Sequence, residues 1–231
     1  CIAGFTMIVA NLFAIAQDNL KRRLAYSTIN QLSYIILGAA LLTQDGIRGA
    51  MMHIPFHGFM KITLFMCAGA IMVASGKKNI SEMAGIGRAM PITMLAFSVG
   101  ALGMCGLPPV VGFISKWYLC LGAYQASLTY SPVMIVFLFT LLIASLLDVV
   151  YFFPIIHTAF FKEPEDKDKG DKEPKMKEAP IFMLVPLTIT AIFSIIFFIA
   201  FILRAVGIFS PYMDILSLHI YELVRIAVGN V

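Results

Sequence analysis

MMHIPFHGFMKITLFMCAGAIMV, residues 51–73, is long and apolar enough to cross a bilayer, yet it holds Lys61 near its centre. A charged side chain at that depth costs ~2.5–3.5 kcal/mol on insertion scales, and its default use is an ion or proton pathway. A second such stretch is MLAFSVGALGMCGLPPVVGFISKWYLCLG, residues 94–122, with Lys116 inside it. The two lysines point to transport before enzymology.

Working outward, the whole chain has the same character. Of its 231 residues, 60% are hydrophobic and 13% charged, whereas a soluble domain has about 45–50% and ~25%. Several stretches exceed the ~18 apolar residues of a spanning helix. The alternating ten-residue pattern of a membrane barrel is absent. The expected fold class is all-α, a polytopic transmembrane helix bundle interrupted by one Pro/Gly-broken helix.

Six apolar segments can be drawn, at about 1–16, 24–43, 48–75, 91–124, 132–161 and 180–208. The fourth is broken at Gly106, Pro108 and Pro109, which cannot continue a regular helix. Residues 1–208 are thus expected to form one transmembrane domain. Residues 162–179 make a charged loop, and residues 209–231 an amphipathic C-terminal tail. Basic residues crowd the odd-numbered links: Lys21, Arg22 and Arg23, then Lys77, Lys78 and Arg88, then the six lysines of residues 162–178. The positive-inside rule puts those links in the cytoplasm. The net charge of +4 is therefore a topology signal and not a mark of a nucleic-acid partner. Cys1 opens directly into an apolar run with no signal-peptide pattern, so the chain reads as the C-terminal part of a longer protein. Cys1, Cys67, Cys105 and Cys120 are scattered and form no C-x-x-C pair, which speaks against an iron–sulfur or zinc site.

The third segment places His53, His57 and Lys61 four residues apart, on one helical face. Eight residues rise ~12 Å along a helix, a span suited to passing protons. Histidine titrates nearest neutral pH. Pro55, between the histidines, frees a backbone carbonyl. The competing reading is a set of packed, hydrogen-bonded polar residues joining helices. His53-x-x-x-His57 has the spacing of a zinc motif, but Ile54 stands where a glutamate is needed, so no metal is expected.

In the fourth segment, a broken helix at membrane depth is tolerated where it packs in protein or lines a wet cavity. Lys116 follows about two turns after the break. Its competing reading is a kink with the lysine snorkelling outward. Asp148, in LLIASLLDVVYFF (residues 141–153), is a counter-ion for Lys116, a relay member, or a helix-end residue near Tyr151 and Pro154. The second segment carries Tyr26, Ser27, Thr28, Asn30, Gln31, Ser33 and Tyr34, which can hydrogen-bond across helices or hold water. Tyr26 and Gln31 are the relay candidates among them.

Three blocks carry a resemblance: DNLKRRLAYSTINQLSYIILG, HGFMKITLFMCAG and GLPPVVGFISKWYL. Together they resemble the antiporter-like subunits of respiratory complex I, of membrane-bound hydrogenases and of Mrp cation/proton antiporters. The wording around GFISK is most similar to the D-type member of the Mrp antiporters. The resemblance implies a bundle of about fourteen spans with inverted repeats, of which this chain holds the C-terminal part. It implies that His57 and Lys61 lie on the eleventh span and Lys116 on the broken twelfth. On that basis protons pass along His57 and Lys61 and leave by Lys116; the resemblance assigns Asp148 no role, and His53, Asp148, Tyr26 and Gln31 are further relay or counter-ion candidates from the residues alone. The implied protein is a non-redox, proton-translocating membrane subunit of a complex I-like or hydrogenase-like pump in a prokaryotic cytoplasmic membrane. Its partners are other membrane subunits, a peripheral redox arm and the lipid bilayer. The alternatives are a component of an Mrp monovalent cation/proton antiporter and a passive anchor for a redox arm. No G-x-G-x-x-G, P-loop or haem motif occurs, so no cofactor is expected in this chain.

Overall fold

A computed structural model describes residues 1–163 and 178–205. The described residues form eight helices and two short 3₁₀ turns. In chain order the helices are α1 (Ile2–Ala16), α2 (Leu20–Ala40), α3 (Gln44–Ser75), α4 (Ile86–Ala89), α5 (Pro91–Cys105), α6 (Gly112–Thr129), α7 (Ile135–Phe161) and α8 (Ile181–Ala205). Over the described residues all six apolar segments are helical, and the fourth divides into α5 and α6. Three helices are long and apolar enough to cross a membrane: α3, α7 with its preceding turn, and α8. Helices α1 and α5 are apolar but shorter. The tail over residues 209–231 lies outside the described residues, as does the charged loop over residues 164–177.

Capping chemistry sets the boundaries. Asn19 precedes α2 and its side chain accepts from the Arg22 N–H at 3.2 Å. Thr43 does the same for α3, accepting from the Gly46 N–H. Gly76 ends α3 in the left-handed conformation at φ +73. Pro55 in α3, Pro154 in α7 and Pro186 in α8 are carried within continuous helices.

The helix facing pattern is inverted relative to a soluble protein. On α2, Ser27, Asn30, Gln31 and Tyr34 recur at i, i+3, i+4 and i+7 and are all buried, while Ile29, Leu32 and Ile36 are exposed. On α7, Leu141, Ala144, Asp148, Tyr151, Phe152 and Ile155 face inward, and Leu142, Leu146, Val150 and Phe153 face out. An apolar outer surface around a polar seam is what a hydrocarbon solvent selects. Aliphatic packing closes the seam from both sides. Met60, Leu64, Phe97, Met104, Phe152 and Ile155 belong to one cluster, and Met7, Leu37, Leu119 and Leu141 to the other.

Helices α3 and α6 approach closely because glycines line their contact. A Cβ on Gly122 would stand 2.2 Å from the backbone nitrogen of Gly46. Small residues permit such backbone approach between membrane helices. That contact brings the α3 face carrying His53, His57 and Lys61 within reach of α6 and of Lys116.

Candidate functional site

The site is assembled on the break between α5 and α6. Helix α5 ends at Cys105, and Gly106 turns the chain at φ +77, with the Leu107 N–H donating to the Leu102 carbonyl at 3.0 Å. A terminating helix leaves its last carbonyls unsatisfied and carries partial negative charge there. The Lys116 ammonium folds back to that end and donates to the Met104 carbonyl at 2.7 Å. The Val111 N–H in the break donates to the Ser194 carbonyl of α8 at 3.1 Å. The interrupted backbone is thus satisfied by a side chain on one side and by a neighbouring helix on the other.

Lys116 is also ion-paired. Its Nζ lies 2.7 Å from Asp148 Oδ2, with the lysine side chain 7% and the aspartate 0% exposed. It donates to Ser145 Oγ at 3.2 Å and sits 4.6 Å from the Tyr34 ring centroid. This overturns the snorkelling alternative, because the ammonium points into protein and finds its counter-ion there. It equally overturns the helix-end reading of Asp148. Helix α7 continues through Pro154 to Phe161, and Asp148 lies well inside it.

The Asp148 carboxylate is enclosed by donors. Oδ1 accepts from Asn30 Nδ2 and from the Tyr151 hydroxyl, each at 2.7 Å. Oδ2 accepts from Gln31 Nε2 at 2.8 Å besides Lys116. Gln31 turns its carbonyl oxygen toward His53 Nε2 at 3.0 Å, and His53 Nδ1 lies 2.8 Å from Ser115 Oγ. Gln31 therefore links the ion pair to His53 on α3.

Lys61 occupies the other end of the α3 face. Its ammonium donates to the Leu24 carbonyl at 2.9 Å and to Ser27 Oγ at 2.5 Å. Both partners are neutral. His53 and His57 stack with ring centroids 5.9 Å apart, and Nε2 of His57 has no hydrogen-bond partner among the described residues. The side-chain bonds of His53 run sideways to α2 and α6 and those of Lys61 to α2, not along α3 from one residue to the next.

Two residues stand elsewhere than expected. Tyr26 is half-buried and stacks on Phe13 at 5.5 Å, so Ser27 and not Tyr26 is the α2 contact of Lys61. Arg23, expected as a link charge, is buried inside α2. Its guanidinium donates to the carbonyls of Gln17 at 2.8 Å, Tyr151 at 3.0 Å and Ile15 at 3.3 Å. Residues that the sequence pattern did not single out are Ser115, Ser145 and the Met104 carbonyl. Serines inside apolar runs are too common to signal themselves.

Residues 1–144 match the family model described as NADH:quinone oxidoreductase/Mrp antiporter, transmembrane. NADH-quinone oxidoreductase subunit N of Desulforudis audaxviator is 38% identical over 198 residues, covering 83% of this chain and 38% of the relative. F(420)H(2) dehydrogenase subunit L of Methanosarcina mazei is 36% identical over 203 residues, covering 84% of this chain and 29% of the relative. This chain thus spans well under half the length of these curated relatives. Among solved structures, the Mrp complex from Dietzia sp. superposes with a TM-score of 0.77 at 21% identity, over 87% of this chain and 44% of that one. The membrane-bound sulfane sulfur reductase, an archaeal respiratory membrane complex, superposes at 0.72 with 28% identity, over 84% and 30%.

Proposed function

This chain belongs to the NADH:quinone oxidoreductase/Mrp antiporter transmembrane family, and from that premise we propose that it is part of a proton-translocating membrane subunit in a redox-driven complex. Its sequence relatives are named as subunits of NADH-quinone and F(420)H(2) dehydrogenases, which favours a redox-driven partner over an ion-gradient antiporter. Residues 1–208 form the transmembrane part, with His57, Lys61 and Lys116 as proton carriers. The complex sits in a prokaryotic cytoplasmic membrane, and its electron chemistry belongs to a peripheral arm of other subunits.

The observation that carries this reading is the buried Lys116–Asp148 pair seated on the break between α5 and α6. An ion pair so enclosed contributes little to stability when compared with apolar packing. Its use is the change of charge that a lysine undergoes when it gains or loses a proton. Near a helix end with free carbonyls, that change is coupled to a dipole as well as to the carboxylate. Lys61, held by neutral oxygens, is the second such carrier.

The test is proton transport by the intact complex in vesicles. Lys116→Ala abolishes coupled pumping while the complex still assembles. Pumping at the wild-type rate would sink the assignment. Identification of the co-purifying subunits separates a redox pump from an antiporter.

A further inference from the structure

We infer that the recess between the start of α2 and the end of α3 binds the headgroup phosphate of an anionic phospholipid, with Lys21, Lys77 and Lys78 as its ligands. Such a site stands whether or not Lys61 and Lys116 carry protons. The recess has a volume of ≈ 50 Å³ and is lined by Ala68, Met72 and Met83 as well as by the three lysines. A water takes about 30 Å³ of liquid, so the space admits the oxygens of a phosphate and not a whole lipid. Lys21 belongs to the first turn of α2, whereas Lys77 and Lys78 follow the Gly76 end of α3. Backbone pairing holds these two links side by side. The Leu20 N–H donates to the Lys78 carbonyl at 3.1 Å, and the Ile80 N–H donates to the Asp18 carbonyl at 2.9 Å. The three ammonium groups are therefore gathered at one place by the fold of the main chain.

Their charge is not consumed locally. The Lys21 ammonium meets the Met72 sulfur at 3.7 Å, and a thioether is a weak acceptor. Among the described residues no acid pairs with Lys21, Lys77 or Lys78. The two acids on these links are engaged elsewhere. Asp18 accepts from the Ser81 N–H and hydroxyl, and Glu82 accepts from the Lys78 and Asn79 N–H groups and from the Asn79 side chain. Lys21, Arg22, Lys77 and Lys78 stand against those two acids, which leaves a surplus of positive charge. Lysine meets a phosphate as a point charge. The position favours a lipid over a soluble anion. Lys77 lies two residues beyond Ser75, the last residue of the spanning helix α3. Toward the middle of the membrane α3 exposes Val73 at 57% and Phe65 at 38%. Phe65 and Met72 are seven residues apart and share a face, so an acyl chain lying along Phe65 and Val73 brings its phosphate to the recess. Basic pockets between spanning helices on the cytoplasmic side hold anionic headgroups, and the positive-inside rule assigns these links to that side.

The experiment uses the intact complex in phosphatidylcholine vesicles that hold a trace of phosphatidylglycerol with a photoreactive group close to its phosphate. Lipid cross-links are then mapped on the peptides covering residues 65–83. The wild type is labelled there, and the same photoreactive group on phosphatidylcholine labels these peptides far less. One basic side chain beside an anionic lipid surface is worth about five-fold in binding. Lys77→Gln therefore loses about five-fold of the label, and Lys21→Gln/Lys77→Gln/Lys78→Gln loses roughly ten-fold or more. Lys21→Arg/Lys77→Arg/Lys78→Arg keeps the charge and keeps the label. If the triple glutamine variant fails to assemble, Lys77→Gln alone decides. The inference is overturned if phosphatidylcholine labels these peptides equally, or if the glutamine variants are labelled like the wild type. It is overturned as well if glycerol phosphate in the buffer displaces the lipid label, which marks a site for soluble phosphate, or if these peptides cross-link to a neighbouring subunit in place of lipid.

Discussion

A Cβ built on Gly106 would stand 2.6 Å from Cδ of Lys116, so the residue that ends α5 and the side chain that folds back over it compete for one space. Gly106 is also at φ +77. Gly106→Ala therefore meets two penalties: a left-handed backbone costing about 1–3 kcal/mol, and displacement of the ammonium from the Met104 carbonyl. Gly76 has φ +73 but nothing within 4 Å of its added Cβ, so Gly76→Ala meets only the first. Gly106→Ala should lose most proton pumping per assembled complex, and Gly76→Ala should keep it. Equal pumping by the two variants would show that the position of Lys116 over the break does not matter.

Ser27→Ala removes the hydroxyl that meets Lys61 and leaves the ammonium with the Leu24 carbonyl. A buried donor deprived of a partner loses about 1–3 kcal/mol, and a charged one more. Thr28 is the matched control, since its hydroxyl donates to the same Leu24 carbonyl within its own helix. The expected result is pumping reduced several-fold in Ser27→Ala and unchanged in Thr28→Ala. If Thr28→Ala is the more damaging, the Lys61 ammonium depends on the carbonyl and not on the hydroxyl.

The helices and the two lysines are legible from the chain because apolar length and an intramembrane charge each have a direct physical cost. The Gly106–Pro109 break is legible for the same reason, since left-handed and proline positions announce themselves. What surrounds the lysines is harder to read. Ser27, Asn30, Gln31 and Tyr34 lie at i, i+3, i+4 and i+7, a pattern visible in the sequence, but its meaning depends on which helix faces it. Tyr26 and Ser27 are adjacent in the chain and about 100° apart around a helix. Only packing decides that the serine turns inward to Lys61 while the tyrosine stacks on Phe13. The same holds for Arg23, whose position beside two other basic residues reads as a link charge. Its burial depends on the carbonyls at the end of α1 and on α7, which come together only in the fold.

Arg23→Ala should destabilise the bundle where α1, α2 and α7 meet. The guanidinium satisfies three carbonyls at once, and a hydrogen bond from a charged donor is worth about 1.5–3 kcal/mol. Lysine presents a point charge in place of a planar fork, so Arg23→Lys should recover only part of the loss. Detergent thermal melts of the complex test this. The exposed Lys21, whose ammonium lies 3.7 Å from the Met72 sulfur, is the comparison. Lys21→Ala shifting the melt as far as Arg23→Ala would refute the clamp.

Acid should loosen the link between α3 and α4 through Glu82. Its carboxyl sits below the usual glutamate range, chiefly because the Asn79 side chain donates to it, with the Lys78 and Asn79 backbone N–H groups adding to this. The Asn79 side-chain bond is 2.8 Å and both backbone bonds are 3.3 Å. A group whose folded value is depressed stabilises the structure above its ordinary value, and that contribution is lost as pH falls through the folded value. The ordinary glutamate value is about 4.3, so the loss begins below roughly that pH. Glu82→Gln keeps an acceptor of the same shape but cannot titrate. Amide hydrogen exchange over residues 78–83 should therefore accelerate on acidification in the wild type, beyond the intrinsic pH dependence of exchange. In Glu82→Gln it should follow the intrinsic dependence alone. The neighbouring Asp18 carboxylate, which accepts from the Ser81 N–H and hydroxyl at 3.1 and 2.7 Å, is controlled for with Asp18→Asn. If acid-induced loosening persists in Glu82→Gln and vanishes in Asp18→Asn, the link is held by Asp18 and the role given to Glu82 fails.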